Sequence, residues 1–374
     1  MSEKNGKLSK DNRLFLIKMR NSRSHCGKTL IKPIIIGYMS VDGDRQYHSD
    51  LSQLKFLNSI NNGSTSLDLN HNIAAAVKRN TEDNEEKIDL LLRFLKDKHQ
   101  YIFPSFEADF ITYRRTLISV MCAAFDAKPT IIRACLFKGS IYLCSIENAQ
   151  EISRRKTRSK EEMKFCAWGY KFEQYMSSDQ PNLEPDINEP VIENAEFSMF
   201  YYSKLGDYRL VYGAQIDSLL TEKSTLPTPK AKDFETNLNY LRSNSFAELK
   251  TNREIQNMKQ ERNFKKHKLL LCWCQCYLAN LKGLYVGFRN DQGVVERLQW
   301  FDTQDIVSYC KYEWHPQIAL DYLNQFLAFV KHSFEQYQNQ AGPVTLQFQF
   351  NIDKSISVTE NCEDDILPAW YTGA

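Results

Sequence analysis

A single domain of mixed α/β class is what this 374-residue chain predicts, from three features. Runs of β-forming residues are joined in pairs by short turns, as over 130–146 and 284–299. Segments with apolar residues at helical spacing follow those pairs, as over 160–176 and 317–334. Neither an internal repeat nor a linker divides the sequence, so strands and helices belong to one unit. Apolar residues at 42% and aromatic residues at 12% give enough material for a large core and exclude a disordered chain. A net charge of +2 means that attraction to nucleic acid must come from local patches. No apolar run reaches the length of a membrane span. The ten cysteines sit mostly in apolar runs without a CxxC pair or a preceding secretory signal, and read as reduced, buried thiols of the cytosol or nucleus.

In chain order, residues 1–30 form a basic, flexible arm with a short ordered piece at 14–18. A strand over 34–41 ends at the turn Asp42-Gly43-Asp44, and a short helix is expected around 51–57. Glu82, Asp83, Glu85 and Glu86 open a helix whose Ile88, Leu91, Leu92 and Leu95 share one face. Residues 110–125 read as a helix, apolar except for Arg114 and Arg115. One of these arginines reaches water, and the other points inward and requires a carboxylate or phosphate. A hairpin spans 130–146 about Lys138-Gly139. The basic stretch 151–160 fits a solvated loop, or a nuclear-import or RNA-phosphate patch. Ser159 and Glu162 form a capping box for the next helix, on which Cys166, Gly169, Tyr170 and Glu173 fall on one side, read as the apolar face. Antiparallel strands follow over 197–203 and 209–217, then a polar, exposed insertion over 218–244. Residues 268–281 form an apolar helix with Gln275 in its middle, where a buried amide needs partners. The strand 344–350 comes last. The domain proper runs over 31–352, leaving 353–374 as a tail.

Two apolar runs carry charge where buried strands should have none: 210–217 (LVYGAQID) and 245–251 (SFAELKT). In a strand, Gln215 and Asp217 share a face, as do Glu248 and Lys250. Burying such charges costs several kcal/mol each unless an ion pair, phosphate or metal offsets it. An acid, about thirty residues, then Glu-x-Lys on a strand is the layout of metal-dependent nucleases, and equally that of a plain ion pair between Lys250 and Asp217 or Glu248. Glu173, as a third inward carboxylate, favours the metal site.

Arg114, GYKFE ending at Glu173, QID ending at Asp217, ELK at 248–250, WCQ ending at Gln275 and GFRN at 287–290 resemble, in order and spacing, the DXO-type family of 5′-end decapping exoribonucleases. The resemblance implies two packed mixed β-sheets with surrounding helices, and a pocket for a single-stranded RNA 5′ end holding two divalent ions, Mg²⁺ or Mn²⁺. It implies that Glu173, Asp217, Glu248 and the Leu249 main-chain carbonyl are metal ligands. Lys250 and Gln275 would contact the scissile phosphate and attacking water, and Arg114 and Arg45 would line the RNA channel. The family pattern is Glu-x-Asp, but here Gln215 occupies the first position and removes one negative charge from the ligand set. Tyr202 replaces a usual arginine, and Ala123-Ala124 a frequent Thr-Pro. These departures are similar to the family's catalytically degenerate, nuclear, small-RNA-pathway (piRNA) branch, that of Cutoff. The expected function is binding and protection of nascent or uncapped 5′ ends in the nucleus, with a transcription or RNA-processing complex or a 5′–3′ exonuclease as partner. The alternative is an active, metal-dependent decapping exoribonuclease acting on incomplete or NAD caps, with the cytoplasm as a second location.

Overall fold

Two mixed β-sheets carry the chain in a computed structural model that describes residues 13–16, 27, 29–57, 62–79, 87–103, 105–126, 128–222, 225–229, 233–340, 342–360 and 365–373. Among these residues the larger sheet has ten strands and the smaller has seven. At the heart of the larger sheet, Tyr208–Gln215 lies antiparallel to Glu196–Leu205 and parallel to Phe110–Tyr113. At the heart of the smaller, Phe246–Arg253 lies parallel to Gly283–Arg289, which turns back antiparallel into Val294–Asp302. The chain passes between the sheets at one point that matters for the site. Ile216 still donates to the Phe197 carbonyl of the larger sheet, whereas Ser218 already pairs with Ala247 of the smaller.

The helix Lys160–Met176 starts at the expected capping box of Ser159 and Glu162. It lies on the smaller sheet through Trp168, Phe172 and Met176, which share a core with Leu249, Tyr285 and Val295. Two glycines permit that close approach. A Cβ at Gly287 would stand 2.5 Å from Phe172, and one at Gly293, where φ is +89°, would stand 2.3 Å from Trp168. Phe172 is thereby fully buried, a gain of roughly 1.5–3 kcal/mol, and Glu173 is carried with it.

Several expectations change. Phe110–Tyr113 is a strand, because its β-branched and aromatic residues find pairing partners on both sides, and the helix begins only at Arg114. Residues expected as a helix around 51–57 end instead in the strand Phe56–Leu57, paired to Ser177–Ser178 and Ser218–Leu220. The basic stretch expected as a loop includes the helix Ala149–Lys156, capped by Asn148 and Glu151. The expected insertion over 218–244 contributes the strand Ser218–Leu220 and the helix Phe234–Arg242, which buries Phe234, Leu238 and Leu241. Ser355–Glu360, assigned to the tail, is a strand joining Val344–Phe350 to Arg13–Leu16. The rest of the basic arm up to residue 26 and the acids Glu82, Asp83, Glu85 and Glu86 lie outside the described residues. Cys166 is exposed, against the expectation of buried thiols, because the helix face that carries it points away from the core.

Candidate active site

Glu248 and Lys250 leave one face of the strand Phe246–Arg253, and Glu248 is only 1% exposed. The Lys250 ammonium stands 2.7 Å from Glu248 Oε1 and 3.1 Å from Asp217 Oδ2. Asp217 occupies the passage between the sheets, and its Oδ2 also accepts the Leu249 N–H at 2.7 Å. In a strand a residue's N–H and C=O leave by the same edge, so the Leu249 carbonyl is directed towards the Asp217 side as well. Two further groups close on Glu248. Gln275, from the helix Leu270–Leu278, donates Nε2 to Glu248 Oε1 at 2.9 Å, while its own Oε1 is buried without a hydrogen-bond partner. Arg114, at the start of the helix Arg114–Ala123, donates Nη1 to Glu248 Oε2 at 3.3 Å and to the Gln275 carbonyl at 2.9 Å, and Nη2 to the Gln215 carbonyl at 2.9 Å. The expectation that one arginine turns inward to a carboxylate therefore holds for Arg114, and Arg115 is exposed.

Electrostatics follow from this crowding. Burial and the neighbouring Asp217 push the Glu173 carboxyl well above the usual carboxylate range. Burial and Glu248 push Asp217 up, against the pull of Lys250. Burial also acts to raise Glu248, but Lys250 and Arg114 outweigh it and hold that carboxyl below its usual range. Lys250 is raised well above an ordinary lysine: burial opposes its charge, and Asp217, Glu248 and Glu173 more than restore it. Three carboxyl groups thus crowd about two cations, and ionisation of Glu173 is the one most opposed.

The structure brings Glu173, Asp217, Glu248, Leu249, Lys250, Gln275 and Arg114 together. Gln215, the last residue of its strand, has an exposed side chain, while its carbonyl faces Arg114. Arg45 is bound to Glu196 at 3.1 Å and to the Asn194 carbonyl at 2.8 Å. Tyr202 is half-buried beside Phe106. Two residues near the cluster were not anticipated. Tyr201 is buried with its hydroxyl lacking a hydrogen-bond partner, and feels the charges of Arg114 and Glu248. Lys268 is half-buried, its ammonium disfavoured by burial and by Lys250 and Arg289. Strand alternation could have placed Tyr201 inward, but nothing in the sequence places Lys268 beside Lys250.

The donor chemistry fits a hard divalent cation: carboxylates, a strand carbonyl and the unsatisfied Gln275 Oε1. Among the described residues, however, no three acidic, histidine or cysteine side chains close on one point as a ready metal site. Lys250 bonds to both Asp217 and Glu248.

A family model described as RAI1 like PD-(D/E)XK nuclease matches residues 31–372. The chain is similar to the decapping and exoribonuclease protein Rai1 of Drosophila melanogaster, at 28% identity over 352 residues, covering 92% of this chain and 91% of that one. It is 26% identical to the decapping and exoribonuclease protein of Homo sapiens over 361 residues, covering 92% and 85%. Among solved structures, Candida albicans Rai1 in complex with pU5-Mn²⁺ aligns with a TM-score of 0.79 at 19% identity, over 97% of this chain and 98% of that one. Scheffersomyces stipitis Rai1 in complex with (3′-NADP)⁺ and calcium ion aligns with a TM-score of 0.76 at 18% identity, over 96% and 94%. These structures share its fold of two mixed sheets with surrounding helices.

Proposed function

The chain belongs to the RAI1-like PD-(D/E)XK nuclease family, and from that premise we propose that it receives the 5′ end of single-stranded RNA at the Lys250 cluster with a weakened metal site. Lys250 supplies the cation for the phosphate nearest the cluster, and the free Gln275 Oε1 is an acceptor able to orient a water beside it. Asp217, Glu248, Glu173 and the Leu249 carbonyl would hold a divalent cation, which when bound stabilises charge on the phosphoryl oxygens. Relatives whose structures contain manganese or calcium support that choice of ion.

One observation carries the reading. Asp217 and Glu248 already share Lys250, Glu248 also pairs with Arg114, ionisation of Glu173 is disfavoured, and the fourth ligand position is the neutral, exposed Gln215. Mg²⁺ and Mn²⁺ favour anionic oxygen, so this set holds them less firmly than one with a glutamate there. The protein then works by occupying nascent or uncapped 5′ ends and shielding them from decay or termination. Its place is the nucleus, beside a transcription or RNA-processing complex or a 5′–3′ exonuclease, in small-RNA (piRNA-type) silencing.

The test is a calorimetric Mn²⁺ titration of the wild type and Gln215→Glu, with turnover of 5′-monophosphate and NAD-capped RNA measured alongside. The expected result is RNA binding with little turnover by the wild type, and tighter Mn²⁺ binding with about 10²–10³ more turnover in the variant. A wild-type turnover that Glu248→Ala abolishes and Gln215→Glu leaves unchanged would establish the second reading, an active decapping exoribonuclease. The intact Lys250–Glu248–Gln275 geometry favours that alternative.

A further inference from the structure

One helix face leads to the cluster from outside. On Lys160–Met176 the residues turned to the core are Ala167, Trp168, Lys171, Phe172 and Met176. Cys166, Gly169, Tyr170 and Glu173 occupy the opposite arc, at spacings of three, one and three residues. Cys166 is exposed, Gly169 and Tyr170 are half-buried, and a Cβ at Gly169 would meet nothing within 4 Å. A mid-helix glycine weakens a helix relative to alanine, and here no packing neighbour requires it. At the inner end of this arc lies Glu173, among Asp217, Lys250 and Glu248. At its outer end, Arg158 folds back so that Nη1 reaches Cys166 Sγ at 3.8 Å.

That outer end is strongly basic. Arg154, Lys156, Arg158, Lys160 and Lys164 are all exposed at the corner where the helix Ala149–Lys156 meets Lys160–Met176. Glu151, Glu161 and Glu162 offset only part of this charge, Glu162 standing 3.8 Å from Arg154. Seven residues of helix separate Cys166 from Glu173, about 10 Å, so the corner lies a few nucleotides from a phosphate held at Lys250.

Resting on the function proposed above, we infer that this open helix face is a binding track for single-stranded RNA. The segment behind the 5′ end lies over Gly169 and Tyr170, and its phosphates reach the basic corner at Arg158. Charge complementarity selects a polyanion, and the bare glycine leaves room for its backbone. The basic stretch 151–160 thereby acts as the distal part of the RNA site.

Cys166 offers a direct readout in the full-length protein, since its alkylation by N-ethylmaleimide can be mapped by peptide mass. In Ca²⁺ buffer, a 5′-monophosphorylated RNA 10-mer should slow Cys166 modification at least fivefold, whereas a 5′-phosphorylated dinucleotide should not. Arg158→Glu should weaken the 10-mer and flatten its salt dependence. Gly169→Trp should weaken it at least tenfold, with an unchanged urea midpoint as the control that the fold is kept. If the 10-mer binds and Cys166 reacts at its free rate, the track is refuted while the 5′-end site stands. If an acidic peptide protects Cys166 and the 10-mer does not, the face is a protein-docking surface and the inference falls. If neither RNA binds, the proposed function fails together with the track.

Discussion

Arg114 offers the sharpest test of how the cluster is held. The residue is 6% exposed, and its guanidinium joins three acceptors: Glu248 Oε2, the Gln275 carbonyl and the Gln215 carbonyl. Arg114→Met keeps much of the apolar stem and removes all three contacts. Breaking one side of a buried ion pair costs on the order of 3–5 kcal/mol, and the two abandoned carbonyls fall within that figure because the contacts share a network and do not add independently. A loss of about 4 kcal/mol is therefore expected, a large share of the roughly 5–15 kcal/mol typical of a folded domain. Urea unfolding at pH 7.5 measures it as a lower midpoint at unchanged slope. The pH dependence has a definite sign. Glu248 is held below its unfolded pKa by Lys250 and Arg114, so its contribution is complete above the unfolded value and lost as pH falls through the folded one. The gap between wild type and variant should accordingly narrow in acid. A loss below about 1 kcal/mol, together with a collapse in RNA affinity, would show that the guanidinium is free for phosphate and that the clamp described here is wrong.

Other substitutions probe the same cluster from different sides. Glu173 is raised above its unfolded pKa, so ionising it opposes folding; Glu173→Gln should stabilise the metal-free protein at pH 8 by about 0.5–2 kcal/mol. That gain should shrink as pH falls and vanish below the unfolded pKa, where the carboxyl is protonated in both states, and reverse in saturating Mn²⁺, all readable from thermal melts. Gly287→Ala places a methyl group 2.5 Å from the Phe172 ring and should cost about 1–3 kcal/mol. Because Glu173 follows Phe172, the same change should weaken Mn²⁺ binding by calorimetry, whereas an unaltered affinity would separate Glu173 from the metal site.

How far the sequence reveals this site depends on whether a residue's neighbours are local. Glu248 and Lys250 were legible because a two-residue spacing in a strand fixes a shared face whatever the strand pairs with. That one of Arg114 and Arg115 turns inward was legible from the surrounding apolar residues, but not which of them. Glu173 was placed correctly for the wrong reason: its helix arc with Cys166, Gly169 and Tyr170 is the open one, and Asp217, Glu248 and Lys250 enclose only its inner end. Gln215 and Asp217 were expected to share a strand face, but the strand ends at Gln215 and the chain then changes sheet. That crossover is set by the pairing of Ser218 with Ala247, a contact no local pattern announces. The strands Phe56–Leu57, Phe110–Tyr113 and Ser355–Glu360 escaped for the same reason, being short and defined by partners far away in sequence.

The charge arrangement also says how RNA and metal would depend on one another. Lys250 is bonded to Asp217 Oδ2 and Glu248 Oε1, atoms of the same carboxylates that would hold a divalent ion. A phosphate that draws the Lys250 ammonium outwards weakens both bonds and leaves those oxygens more available to a cation. It also brings anionic oxygens to a site where Gln215 supplies none. RNA therefore restores part of the charge that the substitution removed, and the two ligands should favour each other. Such coupling is reciprocal, so RNA must tighten Mn²⁺ binding by the same factor by which Mn²⁺ tightens RNA binding. With glutamate at 215, the cation would meet a fully charged ligand set before RNA arrives, and the dependence should weaken. On this account the neutral residue makes firm metal retention conditional on an occupied RNA track.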